Sequence, residues 1–388
     1  MSRKPVIVCC GRTPIGKAGG SLRQIAPERM AAAVFCHLLE ETGVPAEDIN
    51  DVVLGNVIGP GGNLARLSAL AAGFPVSVPG VTVDRQCGSG MEAVSLASRL
   101  IQAGAGDVYI AGGVESVSLA PWKMEKPGNH YKEYPRFYER ARFSPEEIGD
   151  PNMGTAAERT AEVYGISRQD QDAFAAESHR KAVHAREQGW YNEEIVPLPG
   201  SGEDEGPRTN ISPSLLQRMP PAFVEKGTVT AGNSCPVNDG AAAVLLMSEE
   251  KAEEYGLAPE LEVVDTAAAG VDPNIPGLGA VPAVKQCLAD NGLHINDISQ
   301  MEFNEAFASQ TLACLRELSM PLDNVNTGGG AIALGHPYGA SGAVNITRLW
   351  SEMKRRQTKI GIAVMGIGGG MGTAVLCRNR TVAEGEKR

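Results

Sequence analysis

The chain predicts an α/β fold, and three observations carry that prediction. Short apolar runs alternate with helix-period stretches in the first part of the chain, and the same alternation returns after Asp239. One pattern also occurs twice: Ser89-Gly90 leads through a helical stretch into Asp107-Val-Tyr-Ile-Ala111, and Ser341-Gly342 leads at equal spacing into Lys359-Ile-Gly-Ile-Ala363. A recurrence of that kind predicts two similar halves that face each other.

Taken in order, the first part alternates through Val6–Cys10, Glu28–Thr42, Val52–Ile58, Leu64–Ala72, Gly80–Val83, a helix after Cys87, and Val108–Ala111. From Ser118 to Pro236 prolines, aromatics and charges replace the alternation. One strong helix opens there at Ser167, whose side chain and Asp170 form a capping box. This stretch reads as an inserted region. The alternation then resumes through Ala241–Met247, Lys251–Tyr255, Leu261–Ala268, Val281–Asn291, Met301–Phe303, Glu305–Leu318, Ala340–Arg355, Ile360–Val364 and Thr373–Cys377.

Composition narrows the function classes. A chain of 388 residues with 43% hydrophobic content is long enough for two core-forming units. Its net charge of -11 opposes a general role on nucleic acid or anionic membranes, which need a basic face. Any anionic ligand must meet a local basic patch. No apolar run reaches spanning length, and Arg3, Lys4, Arg12 and Lys17 interrupt the opening segment, so a soluble cytoplasmic chain is expected. The eight cysteines form no Cys-x-x-Cys pair, so reduced thiols and no metal site are expected.

One of those cysteines stands apart. In Val83-Asp-Arg-Gln-Cys-Gly-Ser-Gly90, Cys87 lies between a strand-like run and a helix start. Unpaired N–H groups at a helix N-terminus favour an anion, and a thiol near 8.5 in water can fall there to roughly 3.5–7.5. Gly88 and Gly90 are expected to let the chain turn sharply and a ligand approach the backbone. The competing reading is a small buried hydrophobe.

Three further segments bear on the choice. Asn304-Glu305-Ala306-Phe307-Ala308 follows a predicted strand, where α/β folds place functional groups. Glycines bracket His336 between Asn326 and Gly342, and Gly366 to Gly372 forms a glycine-rich turn between two apolar runs. Each alone has an ordinary explanation as a cap, a structural histidine or a turn. Together they supply what covalent thiol catalysis requires: a base near the sulfur, donors for an oxyanion, and backbone open to the acyl group.

Arg12-Thr-Pro-Ile-Gly-Lys17, Gly112-Gly-Val-Glu-Ser-Val-Ser118, Met153-Gly-Thr-Ala-Ala-Glu158, Thr228-Val-Thr-Ala-Gly-Asn233 and Asn238-Asp-Gly-Ala-Ala242 accompany these segments in order. With them the chain resembles, over nearly its whole length, the thiolases, which form or cleave 3-oxoacyl-CoA by Claisen chemistry. The resemblance implies two duplicated halves stacked as αβαβα layers. Residues 1–117 would form the half with the nucleophile, 118–247 a loop domain covering CoA, and 248–388 the second half. It further implies an acetyl-CoA acetyltransferase type of activity on acyl-CoA, coenzyme A as substrate or product with no permanently bound cofactor, and a homodimer or homotetramer.

The resemblance also assigns roles. Cys87 would carry the acyl group, His336 would polarise that thiol and help hold the thioester oxygen, and Asn304 would place a water in the same oxyanion hole. The N–H groups of Cys87 and Gly368 would form a second hole. Met153 and Phe307 would line the acyl pocket, Ala231 and Cys235 would meet the CoA arm, and Arg218, with Arg208 and Lys226, would meet its phosphates.

Three positions depart from the family pattern. Gly366 stands where a second catalytic cysteine is usual, Cys235 where a serine is usual, and Tyr338 where aliphatic residues are common. Loss of the acid/base thiol at 366 is expected to slow the Claisen step by about 10²–10⁴-fold, roughly 3–5 kcal/mol, and Gly366→Cys is expected to restore it. Cys235 is read first as structural, with a substitute acid/base thiol as the alternative. A thioester hydrolase, a decarboxylating condensing enzyme and a weakly active CoA-binding subunit remain open beside the acyltransferase.

Overall fold

The computed structural model describes residues 3–129, 131–137 and 140–382. The first half runs β1 (Pro5–Arg12), a short β2 (Gly16–Lys17), α1 (Pro27–Thr42), β3 (Asp51–Gly55), α2 (Leu64–Ala71), β4 (Gly80–Val83), α3 (Ser89–Gln102) and β5 (Val108–Glu115). A long excursion follows, with β6 (Met124–Glu125), β7 (Arg136–Phe137), α4 (Met153–Val163), α5 (Arg168–Glu187) and α6 (Pro213–Leu216). The chain then returns as β8 (Asn238–Ser248) and α7 (Glu249–Glu254). The second half is β9 (Leu261–Gly270), α8 (Ala280–Asp290), β10 (Gln300–Phe303), α9 (Ala308–Leu318), α10 (Ala331–Leu334), α11 (Tyr338–Arg356), β11 (Ile360–Ile367) and β12 (Met371–Asn379).

Strand order exposes the duplication directly. The sheet reads β10-β11-β12-β9-β1-β8-β5-β3-β4, so β1-β8-β5-β3 in one half answers β9-β12-β11-β10 in the other. Directions agree as well: β3 with β5 and β10 with β11 are parallel, whereas β8 and β12 are antiparallel to both of their neighbours within each half. Even the outermost position has a counterpart, because Val325 bridges Met301 in parallel where β4 pairs with β3. Within the sheet the halves join where β1 meets β9, with Val6 paired to Glu262 and Ile7 to Leu261.

Side-chain alternation along the strands sorts the core into three slabs. Met30, Val34, Phe35 and Leu38 of α1 cover one face of the first half, against Val52, Leu54, Ile110 and Leu245. In the middle slab α3 and α11 pack between the halves, with Val53, Ala111 and Leu246 on one side and Ala363, Met365 and Val375 on the other. Outside the second half, Val281, Val284 and Leu288 of α8 and Leu315 and Leu318 of α9 pack on Ile362, Val364 and Leu376. The result is the expected α-β-α-β-α layering.

The repeated Ser-Gly pair marks where α3 and α11 cross. A Cβ on Gly90 would lie 2.7 Å from the Gly339 carbonyl oxygen, and one on Gly342 only 2.2 Å from the Met91 nitrogen. Backbone thus meets backbone at both sites, and the recurrence seen in the sequence is a packing requirement.

The excursion leaves the first half between β5 and β8. In the second half the same connection, from β11 to β12, is the turn at Gly368 to Gly370. The expected limit of the insertion at Met247 needs correction, since β8 pairs with both β1 and β5 inside the first half's sheet. The inserted region therefore ends at Val237. A buried ionic cluster fastens it to both halves: Arg12 of β1 bonds Glu194 and Asp204, and Arg348 of α11 bonds Glu194 and Glu352. Removing one partner from such a cluster costs about 3–5 kcal/mol. Among the described residues no helix is long and apolar enough to cross a membrane.

Candidate active site

Cys87 sits in a sharp turn between β4 and α3. Gln86 before it takes a positive φ of 50°, and the Asp84 carboxylate holds this conformation by accepting from the Gln86 N–H at 2.7 Å. The Ser89 hydroxyl closes the turn, accepting from the Arg85 N–H at 2.8 Å and donating to the Gln86 carbonyl. A non-glycine residue in this backbone region stores strain of about 1–3 kcal/mol. Gly88 and Gly90 serve packing here and do not open the backbone to a ligand: a Cβ on Gly88 would meet Ile367 at 2.4 Å, and Gly90 faces α11.

The electrostatics of Cys87 also correct the sequence expectation. Burial pushes its thiol up to about 11, against the pull of the N–H groups of Cys87 itself and Gly368. Desolvation outweighs the helix terminus, so at neutral pH the residue is a thiol. The N–H of Gly368 nonetheless faces this sulfur from the glycine turn of the second half.

His336 is buried, and burial lowers it to about 4. Its ring is neutral at neutral pH. The Ser341 hydroxyl lies 2.6 Å from Nδ1 and donates to the Pro337 carbonyl at 3.0 Å, which leaves its oxygen to accept from Nδ1–H. This assigned tautomer directs a lone pair to Nε2, which has no partner. The backbone N–H of His336 donates to Asn238 at 3.0 Å, and Asn238 in turn donates to the Gly16 carbonyl.

Asn304 follows β10 and is 1% exposed, with both side-chain amide atoms unpartnered. Asn304 and His336 are thus both buried with polar side-chain atoms that no protein group satisfies. Asn326 clamps the adjoining backbone from both sides, accepting from the Phe303 N–H and donating to its carbonyl. Glu305 belongs to the clamp, accepting from Ser178, Asn326 and the Ile332 N–H.

A cleft of about 870 Å³ opens onto Cys87, Gly368, Met153 and Tyr338, a size suited to a small-molecule ligand. The His336 ring stands edge-on to Tyr338 with centroids 5.1 Å apart. Phe307, Cys235 and the cleft residue Met153 pack together in one cluster with Ala157, Val229 and Ala306. Arg218 and Ala231 do not border the cleft; both are exposed on the insertion. They are near each other, since Gly232 packs on Leu216 and Met219.

Sequence reasoning missed several cleft residues, namely Trp122, Lys123, Arg140 and Phe143. The cluster of aromatics and charges at the start of the insertion was the available signal. Arg140 is braced by Asp150 at 3.0 Å and lies over the Phe143 ring.

Gly366 also differs from expectation. A Cβ there would lie 2.4 Å from Gln310 Nε2 and 2.5 Å from the Gly277 carbonyl oxygen. The side-chain amide can move away, but the backbone oxygen cannot do so cheaply. Gly366→Cys is therefore expected to destabilise the protein by about 1–3 kcal/mol and to leave 3-oxoacyl thioester cleavage no faster. Thermal unfolding alongside a cleavage assay checks both, and faster cleavage at unchanged stability would contradict the crowding described.

Comparison with known proteins matches this architecture along the chain. The family described as "Thiolase, N-terminal domain" matches residues 5–250, and "Thiolase, C-terminal domain" matches residues 257–379. A relative from Staphylococcus haemolyticus named "Putative acetyl-CoA C-acetyltransferase VraB" is 48% identical over 379 residues, covering 96% of this chain and 98% of the relative. Its counterpart from Staphylococcus aureus strain MRSA252 is 47% identical over 376 residues, with the same coverage. Among solved structures, the Bacillus anthracis acetyl-CoA acetyltransferase superposes with a TM-score of 0.94 at 38% identity. Human mitochondrial 3-ketoacyl-CoA thiolase does so with 0.92 at 33%, each covering 97% of this chain and 99% of the other. Duplicated layers, a strained cysteine turn and matches to both family domains lead to one conclusion: the chain belongs to the thiolase family.

Proposed function

We propose that the protein is an acyltransferase that moves acyl groups to and from coenzyme A through a thioester on Cys87. The observation that carries this reading is Cys87 on the cleft with the Gly368 N–H facing its sulfur, next to Tyr338, against whose ring the buried His336 holds an unpartnered Nε2. A thiol held up to about 11 needs a base to take its proton as it attacks, and a neutral imidazole with a free Nε2 is such a base. Once protonated, Nε2–H joins Asn304 as a donor to the thioester oxygen. The N–H groups of Cys87 and Gly368 serve the oxyanion formed at the acyl-cysteine.

Further assignments belong to the same proposal. Met153 shapes the acyl end of the pocket with Phe307 in support behind it. Asn304 also borders a void of about 10 Å³, separate from the cleft and lined by Glu302, Asn326 and Arg348, near the room that one water needs. The neighbouring Arg218 and Ala231 form an outer face of the insertion for CoA, whose phosphates call for cations. The same reading has the chain in the cytoplasm as a homodimer or homotetramer, and exposed Trp122, Met124 and Phe137 with β4 at the sheet edge support the assembly.

Exchange of label between acetyl-CoA and free CoA tests the function. Exchange at a rate proportional to enzyme supports the reading, and tight CoA binding without exchange would leave a binding subunit in its place.

A further inference from the structure

We propose that Cys235 supplies the proton at carbon when the carbon–carbon bond of a 3-oxoacyl thioester is cleaved, and removes it in the reverse direction. This rests on the acyltransferase reading above. Bond cleavage needs, besides a nucleophile and its base, an acid for the carbon that leaves as an enolate. Position 366 offers no side chain, and Gln310 and Gly277 crowd it. Buried carboxylates nearby are already engaged. Glu115 accepts from Asn56, Val57, Ile58 and Gly339, and Glu305 accepts from Ser178, Asn326 and Ile332.

Cys235 lies where the task arises. Its N–H donates to the Ala306 carbonyl at 3.0 Å, Ser234 bridges Phe307, and Val237 bridges His336. The thiol is thus set between the segment that carries Asn304 and the one that carries His336, the two residues whose unpartnered atoms would hold the thioester oxygen. The carbon to be protonated is bonded to that carbonyl. Cys235 also packs in the same cluster as Met153, which borders the cleft with Cys87. Burial, with the nearby Cys87 adding to it, raises Cys235 above the usual thiol range and keeps it an S–H donor.

The step balances without an outside reagent. Cys87 Sγ gives its proton to His336 Nε2 and bonds the 3-oxo carbon. The bond between carbons 2 and 3 breaks, and its electron pair becomes the enolate. Cys235 Sγ–H protonates carbon 2, and the proton on His336 passes to the Cys235 thiolate. CoA thiol then attacks the acyl-cysteine, and its proton returns to the Cys87 sulfur.

Three rates separate this role from others: label exchange between acetyl-CoA and CoA, deuterium uptake from D2O into the acetyl methyl group, and acetoacetyl-CoA cleavage. Only the last two need an acid/base at carbon. Cys235→Ser is expected to lower both on the order of 10²-fold or more beyond its effect on label exchange, while Tyr338→Phe keeps the three rates in wild-type proportion. Cys235→Ala repeats the measurement should serine perturb folding. The proposal is overturned if Cys235→Ser lowers all three rates equally or none, if the selective loss appears in Tyr338→Phe, or if wild type exchanges label without deuterium uptake or cleavage. Absence of label exchange in wild type overturns the acyltransferase reading itself, and this proposal with it.

Discussion

Cys87→Ala is expected to lower label exchange between acetyl-CoA and CoA on the order of 10⁴-fold or more, the scale on which losing a nucleophile acts. Among the described thiols, Cys87 alone borders the cleft. Cys235 packs beside Met153 with a thiol that burial keeps protonated, and the other six pack in the core or near the surface away from the cleft. No second sulfur stands ready to take the acyl group. The strained turn rests on Asp84, Ser89 and backbone bonds that the substitution leaves in place. Thermal stability should therefore change little while exchange collapses, and purified variant with near-normal exchange would remove Cys87 from the chemistry.

His336→Ala is expected to cost about 10²–10⁴-fold in the same assay, and the wild-type pH profile reports why. With the imidazole at about 4 and the thiol at about 11, both partners are uncharged across the range between. The rate should stay level through neutral pH and fall only as the pH drops through about 4, where the imidazolium can no longer accept a proton. A depressed histidine value loses its neutral form at lower pH than usual, so the acid limb moves down. Alkylation of Cys87 by iodoacetamide should keep rising toward pH 11. An acid limb near the ordinary histidine value of about 6.5, or alkylation that levels off near neutrality, would contradict the neutral thiol and imidazole pair.

Much of this arrangement was legible in the residues. The Ser-Gly recurrence announced the duplication because Gly90 and Gly342 must both be small where α3 crosses α11. The Ser167 capping box is local chemistry and appears as expected. Other features depend on contacts distant in sequence. A helix start suggested an acidic thiol at Cys87, but the desolvation that reverses the shift comes from the surrounding fold. The spacing of Gly88 and Gly90 looks the same whether the glycines serve a ligand or, as here, Ile367 and α11. The crowding of Gly366 by Gln310 and Gly277 likewise joins segments that only the folded second half brings together. The change of pattern at Pro236 lies next to the true start of β8, whereas the limit at Met247, which came with the resemblance, cuts off a strand that completes a sheet begun at β1.

Mass analysis of the protein after brief incubation with acetyl-CoA, in the absence of free CoA, tests the central claim most directly. The account predicts one acetyl group, located by peptide mapping on the fragment containing Cys87 and released when CoA is added. Acetyl mapped to any other residue, or an unmodified protein that still turns over acyl-CoA, would contradict it.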